Sequence, residues 1–466
     1  MLSTRSEVSA AAEPQSIDRR CRAIDSLWYV NIKSVISTKD LLLNYGEHVM
    51  DIFNRIESNV RKYCRDFPTV FTSGNSSTLI DDKGRSYVDF LSGGGALNYG
   101  HNDPDMKKAA IDYLASDGLI HGLDLYSSAR ADFLVTFETL ILQPRRLEYK
   151  IQFPGPTGSN GVEAALKLAR LVKKRANIVA FTNSFHGLSL GALAVTGNSA
   201  YRNEFFSARQ NASFLPFDGY LGPDVDTVEY LKKVIIDPGS GVDLPAAVLV
   251  ETVQAEGGIN VASLAWLRSL SDFCKDQDVL LIIDEIQTGV GRTGPFFSFE
   301  AASVTPDIVV LSKSLNGLGL PLTMVLMKPE LDQWQPGEHS GTFRSNNLAL
   351  VTATTALRHY WQDNSLEKTV ERTGRILLER LNQLLADMPD RIVAVRGRGM
   401  LYGVQFERRI DAKAILRRCF DNGLVAETCG PMNNVLKIAP PLTISEDNLD
   451  NGLALLNEAL SGLPTE

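Results

Sequence analysis

Between Ile178 and Lys328, short apolar runs rich in β-branched residues alternate with amphipathic stretches. Ile178–Thr182, Ala246–Glu251, Val279–Asp284, Asp307–Ser312 and Leu322–Met327 read as buried strands. Between two of them, Leu264, Leu267, Leu270, Ser271 and Cys274 recur at helical spacing. The alternation predicts an α/β domain whose mainly parallel sheet is joined by crossover helices. After about residue 345 the pattern changes. Helical stretches at Leu348–Trp361 and Leu366–Leu385 lead to strands at Ile392–Val395 and Met400–Val404, a helix near Ala412–Asn422, a strand at Val435–Ile438 and a last helix capped by Ser445. This predicts a smaller α+β domain. Near the start, Leu79–Asp81 and Tyr87–Leu91 flank the turn Asp82-Lys83-Gly84-Arg85, a hairpin expected to pack on the C-terminal part.

These patterns divide the chain into an N-terminal extension (1–50), an N-terminal part of the small domain (51–100), a large domain (101–345) and the C-terminal small domain (346–466). Residues 1 to about 20 are polar and Ala/Ser-rich and are expected to be disordered, with Trp28–Met50 a helical extension. The 466 residues are 44% hydrophobic and 22% charged, as in ordinary globular proteins. A formal net charge of -8 disfavours nucleic acid as a partner. Five scattered cysteines without a CxxC pattern fit a reducing compartment better than disulfides or a zinc site, so no metal is expected. No apolar run reaches membrane-spanning length and residues 1–20 lack a signal-like core. A cytoplasmic location away from membranes is therefore expected.

Several strand runs end on polar residues: Thr182, Glu251, Asp284 and Ser312-Lys313. Ligands of open parallel sheets bind outside the carboxyl ends of the strands, so these endpoints should share one crevice. The loop Gly155-Pro156-Thr157-Gly158-Ser159-Asn160-Gly161 opens a strong helix, whose free N–H groups and positive dipole end suit a phosphate, although ordinary helix entries look similar. Asp284, at the tip of a very apolar strand, needs a positive or proton-donating partner; a protonated heteroaromatic nitrogen or neighbouring backbone N–H groups would serve. Lys313 at a buried strand mouth would have the lowered pKa of a Schiff-base amine, and its position 29 residues after Asp284, one βαβ step on, favours that over a solvated lysine. Phe185 could stack on a planar ring, or serve as core.

Together, Thr157-Gly158-Ser159, Phe185-His186-Gly187, Glu251-Thr252-Val253-Gln254-Ala255-Glu256-Gly257-Gly258, Asp284-Glu285-Ile286-Gln287, Ser312-Lys313-Ser314 and Gly341-Thr342-Phe343 resemble the class III (ω-amino-acid) aminotransferases from about Phe71 to Leu442. The resemblance implies an enzyme of fold type I, with pyridoxal 5'-phosphate (PLP) as cofactor and a large domain built on a mainly parallel seven-stranded sheet. It implies that Lys313 is the Schiff-base lysine and proton shuttle, and that Asp284 keeps the pyridine nitrogen protonated. Gln287 would bond the ring oxygen, Phe185 would stack on the ring with His186 beside it, and Gly158 and Ser159 would bind phosphate. Glu251 would order the polar network, and Thr342 would reach the phosphate of the other subunit, which implies a homodimer.

Within the family, Glu57-Ser58-Asn59-Val60-Arg61-Lys62-Tyr63-Cys64-Arg65, His121-Gly122-Leu123-Asp124, Gln152-Phe153-Pro154-Gly155 and Pro336-Gly337-Glu338-His339-Ser340-Gly341-Thr342-Phe343-Arg344 are similar to diaminobutyrate–2-oxoglutarate aminotransferases. Those enzymes make L-2,4-diaminobutyrate from L-aspartate 4-semialdehyde with glutamate as donor, for ectoine, siderophores or other specialised metabolism. Another ω-aminotransferase substrate, or a racemase or aminomutase on the same scaffold, shares the cofactor residues. Where several class III enzymes carry two arginines for substrate carboxylates, this chain has Leu188 and Lys437. Arg344 and Lys437 are the candidate replacements, Arg344 being equally compatible with a structural ion pair.

Overall fold

In a computed structural model, the structure describes residues 49–203, 205 and 211–462. The expectations for residues 1–20, and for Trp28–Met50 up to its last two residues, lie outside them. The chain falls into two units that divide after Val70, and each is taken by itself. In the first, Val49–Ile56 and Tyr63–Asp66 are helical and Arg61 pairs with Glu57.

The second unit is built on a seven-stranded sheet. Its spatial order is Lys150–Gln152, Met324–Met327, Ile308–Leu311, Leu280–Asp284, Ala247–Val250, Ile178–Phe181 and Ala212–Leu215. The five central strands are buried residue by residue, as helices on both faces require, which is why they read as unbroken apolar runs. Four of the expected strands run parallel. Met324–Met327 instead runs antiparallel to Ile308–Leu311, because the short connection between them holds no crossover helix.

The Gly158–Lys173 helix lies directly on this sheet. A β-carbon on Gly161 would come within 2.6 Å of Val310 and 2.7 Å of Thr323, so only glycine lets the helix approach this closely. The Leu264–Asp276 helix is capped by the Ser263 hydroxyl and buries Leu267, Leu270 and Cys274 at the anticipated spacing. Leu264 itself stays exposed.

A second, four-stranded sheet of Ile392–Arg398, Leu401–Phe406, Val435–Ile438 and Glu427–Cys429 follows the expected strands and adds one. The hairpin Thr78–Asp81/Ser86–Asp89 does meet the C-terminal part: Leu424–Val425 pairs in parallel with its second strand. Cys274, Cys419 and Cys429 are buried free thiols, whereas Cys64 is exposed. Among the described residues, no helix is long and apolar enough to cross a membrane.

One buried cation ties these parts together. Arg292 is fully buried; its guanidinium donates to the Met400 carbonyl at 3.0 Å, the Pro440 carbonyl at 2.6 Å and Asn98 Oδ1 at 2.7 Å. Asn98 in turn donates to the Val290 carbonyl. Burial pushes the guanidinium down to about 9, with Asp89 opposing. Lys cannot reproduce three planar donations, so Arg292→Lys should lose about 3 kcal/mol or more of stability in urea unfolding; a loss under about 1 kcal/mol would contradict this role.

Candidate active site

The carboxyl ends of the parallel strands open into a cavity of about 820 Å³. Of the sequence-predicted residues, Gly158, Ser159, Phe185, His186, Glu251, Asp284, Gln287 and Lys313 line it together. Thr342 does not: it is exposed and lines a separate cavity with His121 and Phe343. Arg344 lines a third, beside Asp124 and Trp334. Lys437 is 1% exposed, with its ammonium 2.5 Å from Glu256 and 2.6 Å from Glu427.

Asp284 ends its strand with a carboxylate that is 4% exposed. His186 Nδ1–H donates to Oδ2 at 2.8 Å and the Ile286 N–H to Oδ1 at 3.0 Å. Those two donors make burial of the charge tolerable. Glu251 is also buried, and its Oε2 accepts the Phe185 N–H at 3.0 Å. Burial and then the nearby Asp284 raise its pKa well above the usual carboxylate range.

Lys313 follows strand Ile308–Leu311, and its amine donates to the Gly94 carbonyl at 2.7 Å. The same carbonyl accepts the Gln287 amide at 2.9 Å. The left-handed φ values of Gly93 and Gly94 (60° and 69°) and of Gly95 (82°) form this turn, which side chains would strain. Burial, and next the Lys437 charge, push Lys313 down to about 8 against the pull of Glu256, Glu427 and Asp284. A sizeable neutral fraction near neutral pH makes it a competent nucleophile and base.

At the mouth of the helix, Thr157 caps the chain and Asn160 Oδ1 accepts both its N–H and its hydroxyl. The N–H groups of Gly158 and Ser159 belong to the first turn, which has no partners within the helix. This donor end, the buried anion, the Phe185 ring and the amine fit a phosphorylated pyridine aldehyde. Sequence reasoning missed the Gly94 carbonyl, Glu256, Ile286 and Thr288 as lining or bonding groups. Glu256 lay within a motif already singled out, and the triple glycine was the one signal for the turn.

Glu285, just past the strand end, is outside the cavity lining. It is buried and bonds the hydroxyls of Ser298 at 2.6 Å and Thr288 at 3.1 Å. Burial pushes it up to about 7.

Two outcomes follow from these environments. Capture of an added aldehyde by the apoprotein amine should accelerate with pH through about 8 and then level off; stopped-flow absorbance would reveal a rise extending past 10 if Lys313 were unperturbed. For Glu285, the folded state binds the proton more tightly than the unfolded one. Stability relative to Glu285→Gln should therefore be highest below the ordinary carboxylate pKa and fall as pH rises to about 7, by a few kcal/mol in thermal or urea unfolding. A pH-independent difference between the two proteins would contradict this.

The sequence profile described as "Aminotransferase class-III" matches residues 61–460. The diaminobutyrate–2-oxoglutarate transaminase of Wolinella succinogenes is 53% identical over 411 residues, covering 88% of this chain and 96% of the relative. That of Halomonas elongata is 52% identical over 408 residues, covering 87% and 97%. Among solved structures, the ornithine aminotransferase of Toxoplasma gondii superposes with a TM-score of 0.76 at 25% identity, covering 93% of this chain and 97% of that one. The acetylornithine aminotransferase of Elizabethkingia anophelis gives 0.73 at 26%, covering 90% and 99%. With that profile matched over residues 61–460 and relatives at about 50% identity along most of its length, the chain belongs to the class III aminotransferases.

Proposed function

We propose that this PLP-dependent aminotransferase exchanges an amino group between L-2,4-diaminobutyrate and 2-oxoglutarate, running toward diaminobutyrate from L-aspartate 4-semialdehyde and L-glutamate. The observation that carries the chemistry is Lys313, a buried amine in one cavity with Asp284, Gln287, Phe185 and the Gly158–Lys173 helix end. Relatives at about 50% identity that carry this activity in their names support the substrate assignment.

When bound, PLP supplies a carbonyl carbon for amine attachment and a ring that withdraws electrons from the reacting carbon. Asp284, which accepts from His186 and the Ile286 N–H, would pair with the ring nitrogen and favour its protonated form. Gly158 and Ser159 would hold the phosphate with their N–H groups, Phe185 would pack on the ring and Gln287 would bond the ring oxygen. Glu251 acts through Phe185 by gripping its N–H, and so sets that ring's position. Lys313, with a neutral amine accessible near pH 7, takes the proton from the substrate carbon and returns it on the other side of the transfer. Thr342, exposed and lining a separate cavity, would serve the phosphate of a second subunit, which would make the working unit a homodimer. Arg344 is the candidate cation for a substrate carboxylate.

Lys313→Ala tests the assignment directly. Borohydride should no longer fix cofactor mass onto the protein, and turnover should fall by more than about 10³-fold; a variant that still fixes the label overturns it. With the intact enzyme, glutamate and aspartate semialdehyde should yield 2-oxoglutarate in one-to-one ratio with diaminobutyrate. Isomerisation without 2-oxoglutarate would instead mark a racemase or aminomutase.

A further inference from the structure

The Gly158–Lys173 helix brings Gly158 and Ser159 to the cavity, and the loop leaving strand Ile178–Phe181 brings Phe185 and His186. Five consecutive residues of that loop, Phe185 to Ser189, are each held by a side chain from elsewhere in the chain. Glu251 accepts the Phe185 N–H. Thr196 Oγ1 accepts the His186 N–H at 3.0 Å and donates to the Gly187 carbonyl at 3.1 Å. Ser159 Oγ accepts the Leu188 N–H at 3.4 Å, and Glu163 Oε1 accepts the Ser189 hydroxyl at 2.6 Å. Ser159 and Glu163 stand one turn apart on the same face of the Gly158–Lys173 helix.

Glu163 also reaches past the end of this row. Its Oε1 accepts the N–H groups of Gly191 at 2.9 Å and Ala192 at 3.2 Å, so one carboxylate oxygen gathers three donors where the loop enters the short helix Leu190–Ala194. The backbone leaves room for both tethers. A β-carbon on Gly191 would overlap Glu163 Oε2, and one on Gly187, at φ 122°, would overlap Ser159 Oγ. Helix and loop differ in how firmly packing holds them. Val162, Ala164 and Ala165 beside Glu163 are fully buried in the sheet's core cluster, whereas Leu188, Ser189 and Leu190 are exposed. The helix is the fixed base, and the loop takes its place from hydrogen bonds more than from packing.

We propose that Glu163 is a positioning residue for the cofactor: by tying the loop to the helix, it fixes the spacing between the phosphate-holding group and the ring-facing group. It lies outside the cavity lining and acts through Ser189, Gly191 and Ala192. Two subsites held at the right spacing bind a two-part ligand as one unit, whereas subsites free to drift still bind each half but bind the whole less well. The inference rests on the reading of this cavity as a PLP site and does not depend on which amino acid is the substrate.

The test titrates the full-length apoprotein with PLP and with pyridoxal by absorbance, and with inorganic phosphate by competition against PLP. In Glu163→Ala the affinity for PLP should fall about 10-fold or more, while those for pyridoxal and phosphate change by less than about 3-fold. Glu163→Gln keeps an acceptor oxygen of the same reach and should restore most of the loss. Glu163→Asp, one methylene shorter, should not. Ser189→Ala removes one of the three donors without altering the helix, so it should weaken PLP alone by a smaller factor, and it decides the matter if Glu163→Ala does not fold. PLP affinity unchanged in these variants overturns the inference. Parallel losses for all three ligands overturn it too, because they would mark Glu163 as a support of the fold or of a single subsite. A wild-type apoprotein that captures no PLP overturns instead the cofactor site on which the proposed function stands.

Discussion

A carboxylate at the inner end of a fully buried strand is the constraint around which this molecule is organised. Asp284 costs free energy unless its charge is matched, and water is excluded from most of its surroundings. His186 and the Ile286 N–H supply the match, which dictates where the chain leaving strand Ile178–Phe181 must pass and how the turn after Asp284 must fold. Burial, with Asp284 adding to it, raises the Glu251 pKa well above the usual carboxylate range, and Glu251 Oε2 grips the Phe185 N–H. Glu285, one residue on, is held by the hydroxyls of Ser298 and Thr288. Three strands and the loops that follow them are thus positioned by the cost of one desolvated charge.

The central strands were legible because burial on both faces removes the alternation that would make them resemble surface elements. Lys150–Gln152 and Ala212–Leu215 were not, because both lie at the sheet's edges, are short, and are largely half-buried. Leu424–Val425 is two residues long and exists as a strand only through its partner, a relation that no local pattern encodes. Strand direction was partly hidden too: the composition of Met324–Met327 is that of its parallel neighbours, and only the missing crossover helix betrays its reversal.

In the site, side-chain chemistry was readable and backbone chemistry was not. Asp284, Lys313, Gln287 and Phe185 announce themselves by residue type and place. The Gly94 carbonyl, which holds both Lys313 and Gln287, has no side chain to announce it. Charge balance was equally invisible: Lys437 read as an available cation because the two glutamates that claim it come from residues 256 and 427, brought together only by the tertiary fold. Thr342 and Arg344 sit near one another in sequence yet line two other cavities of the same chain, beyond what spacing alone can tell.

The pairing of Leu424–Val425 with Ser86–Asp89 has a consequence for how the protein is made. A ribosome produces the hairpin before the strand that covers its outer edge, which emerges only after the whole seven-stranded sheet has been made. At about 5–20 residues per second, the hydrogen-bonding groups of Ser86–Asp89 stay without their native partner for tens of seconds. During that interval each nascent chain displays an open strand edge to its neighbours on the same message. The fold closes by joining parts that are made far apart in time, so a chain released before Leu424 keeps that edge exposed.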